Sequence, residues 1–413
     1  MSIIKMSSKS FENQFDDFAP ISAYNILNER RDAISEELYT KLQNYKSEKL
    51  TYLLAKPKKD IFHHDGTVYT GSAGLALFFL MSSLGKNEEQ DILQKALEYV
   101  EIKNIKGKRI SFLCGDAGPL AIATVISYKL GNRRPDSLPQ YGNLAQRLTD
   151  LIALLNNSPD ELLYGKAGYL YAVLFVNKHV SGNGEDLIPA SHIVQIIASI
   201  LKSGKEFAQQ KKSESPLLWQ WHEKIYLGAA HGLAGILYML LQAREYIDAN
   251  DVRDYIKPSV DWLLNQKFSG GNYPSSLGSA SGDRLVQWCH GAPGFVPLCL
   301  LAYQVFKEEK YLETAIQCGD VIWQRGICTK GYSLCHGVSG NAYSFLQLYQ
   351  ATKNPQHLYR ACCFMEWCVA ERPGTELHRP DRPASLFEGL LGRIYLAEDI
   401  IHPLQSKFPA FCL

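Results

Sequence analysis

The chain of 413 residues carries 43 Lys and Arg against 42 Asp and Glu, and it is 46% hydrophobic and 21% charged. So near a balance excludes the basic surplus of a nucleic-acid binder, and the apolar content excludes a disordered or low-complexity protein. The length exceeds that of a usual single domain, so two domains are expected unless a repeat extends one.

In chain order, the first ten residues lack the apolar core of a signal peptide, and position 2 is Ser rather than the Gly of a myristoylation pattern. No later run reaches the ~18 apolar residues of a membrane span. The expectation is a cytoplasmic protein, with nuclear localisation or peripheral plasma-membrane contact as alternatives. The basic clusters Lys103 to Arg109 and Lys202 to Lys212 read as solvated loops or helix faces, with contact to a membrane surface as the other reading. Ten cysteines in a reducing compartment, with no CxxC pair, are expected as thiols or metal ligands rather than disulfides.

Residues 1–60 read as a helical lead-in. From there one signature recurs seven times, Gly-x-x-Gly followed by an apolar helical run, at Gly71, Gly115, Gly165, Gly232, Gly291, Gly337 and Gly389. The spacings of 44 to 67 residues accommodate two helices and two loops each, so every copy is expected to be a helical hairpin. The glycines are expected where a Cβ would hold a neighbouring helix away. The terminal copies are as apolar as the middle ones, which favours closure into one all-α, α/α-toroid domain of seven hairpins over an open, capped stack.

The residue before the first glycine is, in order, Thr70, Cys114, Tyr164, His231, His290, His336 and Glu388. In a closed ring such positions converge on one mouth, so a polar, titratable cluster is expected there; helix capping is the plainer explanation, though His and Tyr cap poorly. Copies five and six both read Cys-His-Gly, at Cys289-His290 and Cys335-His336. Taken singly, each cysteine reads as a small buried hydrophobe. Matched pairs in register point to zinc, with four candidate ligands. The Gly- and Ser-rich loop from Ser269 to Arg284 leads into this motif and is expected to frame it.

The seven copies, Trp288-Cys289-His290-Gly291-Ala-Pro-Gly294, Gly331-Tyr-Ser-Leu-Cys335-His336-Gly337, Ser385-Leu-Phe-Glu388-Gly389, Phe11-Glu-Asn-Gln-Phe-Asp-Asp17 and Phe408-Pro-Ala-Phe411 together resemble the eukaryotic lanthionine-synthetase-C-like proteins. The resemblance implies an α/α toroid holding one zinc through Cys289, Cys335 and His336, with the fourth position open and His290 outside the set. It implies a thiol-adding enzyme that joins glutathione to dehydroalanine or dehydrobutyrine residues of peptides or proteins by Michael addition. Carried over, His231 is the proton donor, Glu161 the acidic partner where bacterial members have Asp, and Arg284 an enolate stabiliser displaced by one position. Glutathione contacts are implied at Lys330, at His378, Arg379 and Asp381, and at Lys9 in place of an arginine. Two alternatives stand beside this: a glutathione-binding zinc scaffold of little or no turnover, and a prenyltransferase-like toroid, for which no Asp lies in register.

Overall fold

The computed structural model describes residues 6–7, 9–20, 23–84, 89–131, 136, 139–182, 185–280, 282–370 and 379–413. Helices dominate. In chain order they are α1 (Glu36–Leu54), α2 (Lys58–Phe62), α3 (Ser72–Ser83), α4 (Glu89–Leu97), α5 (Ala117–Leu130), α6 (Tyr141–Asp150), α7 (Lys166–His179) and α8 (Ala190–Lys211). They continue as α9 (Leu233–Gln242), α10 (Ala249–Asp251), α11 (Lys257–Leu264), α12 (Ala292–Phe306), α13 (Glu309–Arg325), α14 (Val338–Thr352), α15 (Pro355–Ala370) and α16 (Leu390–Ile401). Extended structure among the described residues is confined to small hairpins and bridges, Met6–Ser7 with Ser10–Phe11 and Ser181–Gly182 with Glu185–Asp186 among them. No helix among them is long and apolar enough to cross a membrane.

Every Gly-x-x-Gly signature opens a helix: α3, α5, α7, α9, α12, α14 and α16. These helices are buried along almost their whole length, as an all-round apolar sequence requires. The helices that follow lie back on them, giving the pairs α3/α4, α5/α6, α7/α8, α12/α13 and α14/α15. The last buried helix, α16, takes α1 as its partner, so the segment read as a lead-in completes a hairpin.

The chain forms two compact units, one of residues 1–57, 227–230 and 264–409, the other of 58–226, 231–263 and 410–413. Within each unit the loops before the buried helices follow one design. The amide after the first glycine bonds to the carbonyl seven residues earlier: Ser72 to Asp65 (2.9 Å), Asp116 to Arg109 (2.8 Å), Lys166 to Pro159 (2.8 Å) and Leu233 to Tyr226 (3.0 Å). Val338 to Gly331 (3.1 Å) and Leu390 to Pro383 (2.7 Å) repeat it. A Cβ on Gly71, Gly165 or Gly340 would overlap a carbonyl oxygen of its own preceding loop. The glycines are needed for this loop closure, and the second glycine of a motif also meets the neighbouring repeat, as expected of close packing: a Cβ on Gly118 would overlap Val68 and one on Gly392 would overlap Leu334.

Copy five departs from the design. Gly291 has φ +111°, a value that favours glycine, and the Ala292 amide bonds to the Asn272 side chain (2.8 Å) instead of a loop carbonyl. Asn272, fully buried, donates to Asp283 (2.7 Å) and to the Leu285 carbonyl (3.0 Å), and Asp283 is clamped by Arg325 (2.9 Å). The loop from Ser269 to Arg284 is thus pinned along the stretch that leads to Cys289.

Candidate active site

Within a unit, successive loops are joined by backbone hydrogen bonds two residues before the glycine. Cys289 donates to the carbonyl of Cys335 (3.1 Å), and Cys335 donates to that of Phe387 (3.0 Å). In the other unit Tyr69 donates to Leu113 (3.0 Å), and Cys114, one residue before its glycine, donates to Leu163 (3.2 Å). This ladder brings Cys289 and Cys335 together, although 46 residues separate their glycines.

Both cysteines are buried, Cys289 at 7% exposure and Cys335 at 5%. The Cys335 thiol meets Cys289 and the His336 ring; the neighbouring Cys289 and burial push it well above the usual thiol range, with His336 opposing. Among the described residues no group of three or more His, Cys, Asp or Glu side chains is drawn up as a metal cage. The triad is assembled pairwise around Cys335. Two touching thiols, the Cys335 one raised by its neighbour and by burial, beside an imidazole are a donor set suited to a divalent cation, which displaces thiol protons on binding. His290 is half-buried in the same loop, its amide bonded to Gln287.

Lys330 and Lys9 are exposed, and the Thr329 amide donates to the Lys9 carbonyl (3.1 Å), so the two expected glutathione contacts sit on paired backbone. Arg379 and Asp381 are exposed on the loop before Ser385, and His378 lies outside the described residues. Arg284 is exposed, beside the Asp283–Arg325 pair.

In the second unit, Glu161 is 1% exposed and accepts three hydrogen bonds. Its Oε2 takes the Leu163 amide (3.0 Å) and His231 Nδ1 (2.7 Å), and its Oε1 takes the Tyr164 amide (2.6 Å). Four residues before the glycine, other copies carry a hydroxyl in this role: Ser333 caps the His336 amide (3.3 Å) and Ser385 the Glu388 amide (3.3 Å). Capping thus belongs to this position, and the residue before the glycine is released for other work. A carboxylate facing Nδ1 favours the tautomer with the proton on that nitrogen.

Of the seven residues before the glycines, Cys114, Tyr164 and His231 meet in this unit. Tyr164 stacks on His231 with ring centroids 6.1 Å apart and planes 3° apart, and its hydroxyl meets the Cys114 thiol. That thiol and burial push the Tyr164 hydroxyl up to about 12. Trp221, not singled out by the sequence, stacks on Tyr164 at 6.0 Å. Its signal was slight, since it lies outside the repeat's register, two residues after Trp219.

Three comparisons bear on this arrangement. The family model described as Lanthionine synthetase C-like protein matches residues 63–413. The chain is 41% identical to "Glutathione S-transferase LANCL1" of Danio rerio, with 98% of each chain covered. It is 34% identical to "LanC-like protein GCL1" of Arabidopsis thaliana, covering 84% of this chain and 81% of that one. Among solved structures it is similar to nisin cyclase at a TM-score of 0.60 and 16% identity, over 91% of this chain and 96% of the other. The fold is the all-α, α/α-toroid class expected from the repeat, and the chain belongs to the lanthionine synthetase C-like family.

Proposed function

We propose that this protein is a zinc-dependent thiol transferase, adding the sulfur of glutathione to dehydroalanine or dehydrobutyrine residues of peptides or proteins. The observation that carries the reading is the Glu161–His231 hydrogen bond (2.7 Å), a buried carboxylate holding an imidazole in one tautomer. It is supported by the Cys289–Cys335–His336 contacts in the other unit and by the transferase name of the Danio rerio relative. The similarity to nisin cyclase supports a peptide substrate.

Cys289, Cys335 and His336 would hold the zinc, three protein ligands leaving one position open. When bound, zinc supplies a means of keeping a substrate thiol ionised at neutral pH. The chain's own residues do the rest. Lys330 and Lys9 offer ammonium groups to the two carboxylates of glutathione, joined by Arg379 and, in the same loop, His378 and Asp381. The sulfur bonds to the β-carbon of the dehydro residue, the double bond's electrons move toward the neighbouring carbonyl, and the α-carbon then takes a proton. His231 delivers that proton from Nε2 while Glu161 holds Nδ1 and balances the charge on the ring. Arg284 is assigned to the developing negative charge on the carbonyl oxygen. Thiol and alkene combine without loss of atoms or electrons, so no oxidant or reductant enters.

The test is mass spectrometry of a dehydroalanine peptide incubated with glutathione and the purified protein, together with metal analysis. The expected results are a peptide gain of one glutathione, about one zinc per chain in the wild type, and loss of both in Cys335→Ala. Absence of an adduct above the uncatalysed level, or zinc retained in full by the variant, overturns the reading.

A further inference from the structure

Trp221 and Lys224 exchange both backbone hydrogen bonds, Trp221 N to Lys224 O at 2.8 Å and Lys224 N to Trp221 O at 3.0 Å. They enclose a two-residue hairpin loop whose central residues, His222 and Glu223, have φ of +46° and +61°. Such a loop suits Asn-Gly, and residues with larger side chains enter it under strain. Strained backbone persists where its surroundings over-determine it and concentrates at functional positions. Here the loop presents the Trp221 ring to Tyr164, with centroids 6.0 Å and planes 25° apart.

Tyr164 is 44% exposed although two rings stack with it, Trp221 and His231. His231 is thereby held on three sides: Glu161 at Nδ1 (2.7 Å), the Tyr164 face, and Tyr226 tilted at 5.9 Å. Beyond Tyr164 lie the Cys114 thiol and the Arg109 guanidinium, whose Nη1 bonds to the Cys114 carbonyl (3.3 Å). The exposed part of this wall is aromatic and flat. A dehydro residue is also flat, because its carbon–carbon double bond is conjugated with the adjoining carbonyl. The thioether product has tetrahedral carbons in its place and loses that plane.

Resting on the proposed thiol addition, we propose that Tyr164 is a positioning residue for His231 and that Trp221 with Tyr164 forms a specificity platform for the planar dehydro residue. The platform favours the unsaturated substrate over the saturated product, so it selects what enters and eases what leaves. Its contribution is that of aromatic contacts, about tenfold in affinity or rate at each position.

The experiment uses the full chain as Tyr164→Phe, Tyr164→Leu and Trp221→Ala, each checked for wild-type helicity and melting. Substrate-free spectra of protein with isotope-labelled histidine follow the His231 ring. Steady-state rates use a dehydroalanine peptide, with its alanine analogue as a competing ligand. Tyr164→Phe keeps both ring signals and rate. Tyr164→Leu moves the His231 signals and lowers kcat about tenfold. Trp221→Ala raises KM for the dehydroalanine peptide about tenfold and leaves the inhibition constant of the alanine analogue unchanged. Unmoved His231 signals and an unchanged kcat in Tyr164→Leu overturn the positioning role, and equal weakening of both peptides in Trp221→Ala overturns the platform. If the wild type adds no thiol, the function above fails, while the ring signals and the direct binding of the two peptides still decide these assignments.

Discussion

Glu161 gathers three donors on two carboxylate oxygens: the amides of Leu163 and Tyr164, and Nδ1 of His231. Glutamine at this position would turn an NH₂ toward at least one of those donors, so the isosteric change is not a mild one. We expect Glu161→Gln to lower kcat for thiol addition by about 100-fold or more, with a smaller effect on KM, in steady-state assays. An unchanged kcat would remove Glu161 from the mechanism and leave it as a loop cap. Asp399 makes a separate prediction about stability. Burial raises its carboxyl to about 8, opposed by the Tyr343 hydroxyl, which donates to it at 2.7 Å, and by the Lys407 amide. The folded chain therefore keeps a proton that the unfolded chain releases above its ordinary pKa of 3.8. Stability from this group falls as pH rises between those two values, by up to about 1.4 kcal/mol per pH unit, and is level on either side. Asp399→Asn should abolish that slope, so urea midpoints at pH 5 to 8 should show the variant gaining on the wild type toward pH 8.

The seven-residue loop closure is the element on which the site depends, since it aims the residue before each glycine. It was legible in the Gly-x-x-Gly spacing only as a helix start; the bonded carbonyl seven residues earlier belongs to no residue type and left no mark in the sequence. Copy five shows how the design is replaced when it fails. There the Asn272 side chain supplies the acceptor for Ala292, and Asp283 and Arg325 hold Asn272 in turn. Asn272→Ala should orphan the Ala292 amide and destabilise the protein by about 1–3 kcal/mol for each buried group left unpaired, measured as a shift in the denaturant midpoint. Asn272→Asp should not rescue it, because a second carboxylate would then face Asp283. The Cys-His-Gly pairs were visible as a metal signature, but their meeting rests on the Cys289–Cys335 backbone hydrogen bond, a contact between separate hairpins.

At the scale of the molecule, each unit is assembled from stretches far apart in the chain, so neither corresponds to one continuous segment. The last four residues belong with the unit containing α9. Phe411 is fully buried with its ring 4.5 Å from that of Tyr238, its carbonyl accepts from Gln242 (3.0 Å), and the Leu413 amide donates back to Gln242 (2.8 Å). Removing residues 410–413 should destabilise that unit by about 3–5 kcal/mol, the cost of losing a buried aromatic, and calorimetry should show it as a lowered or split transition. What the sequence determined by itself was the repeat, the helical class and the chemistry of each position before a glycine, because periodicity and residue type are local properties. It also carried enough of the Cys-His and Gly-x-x-Gly pattern to place the chain in its family. What only the tertiary structure decided was company. Glu161 reaches His231 across 70 residues, Tyr164 and Trp221 close around that ring, and α16 finds its partner in α1. Such pairings depend on how hairpins pack, and packing is fixed by shape summed over many side chains, which no single position records.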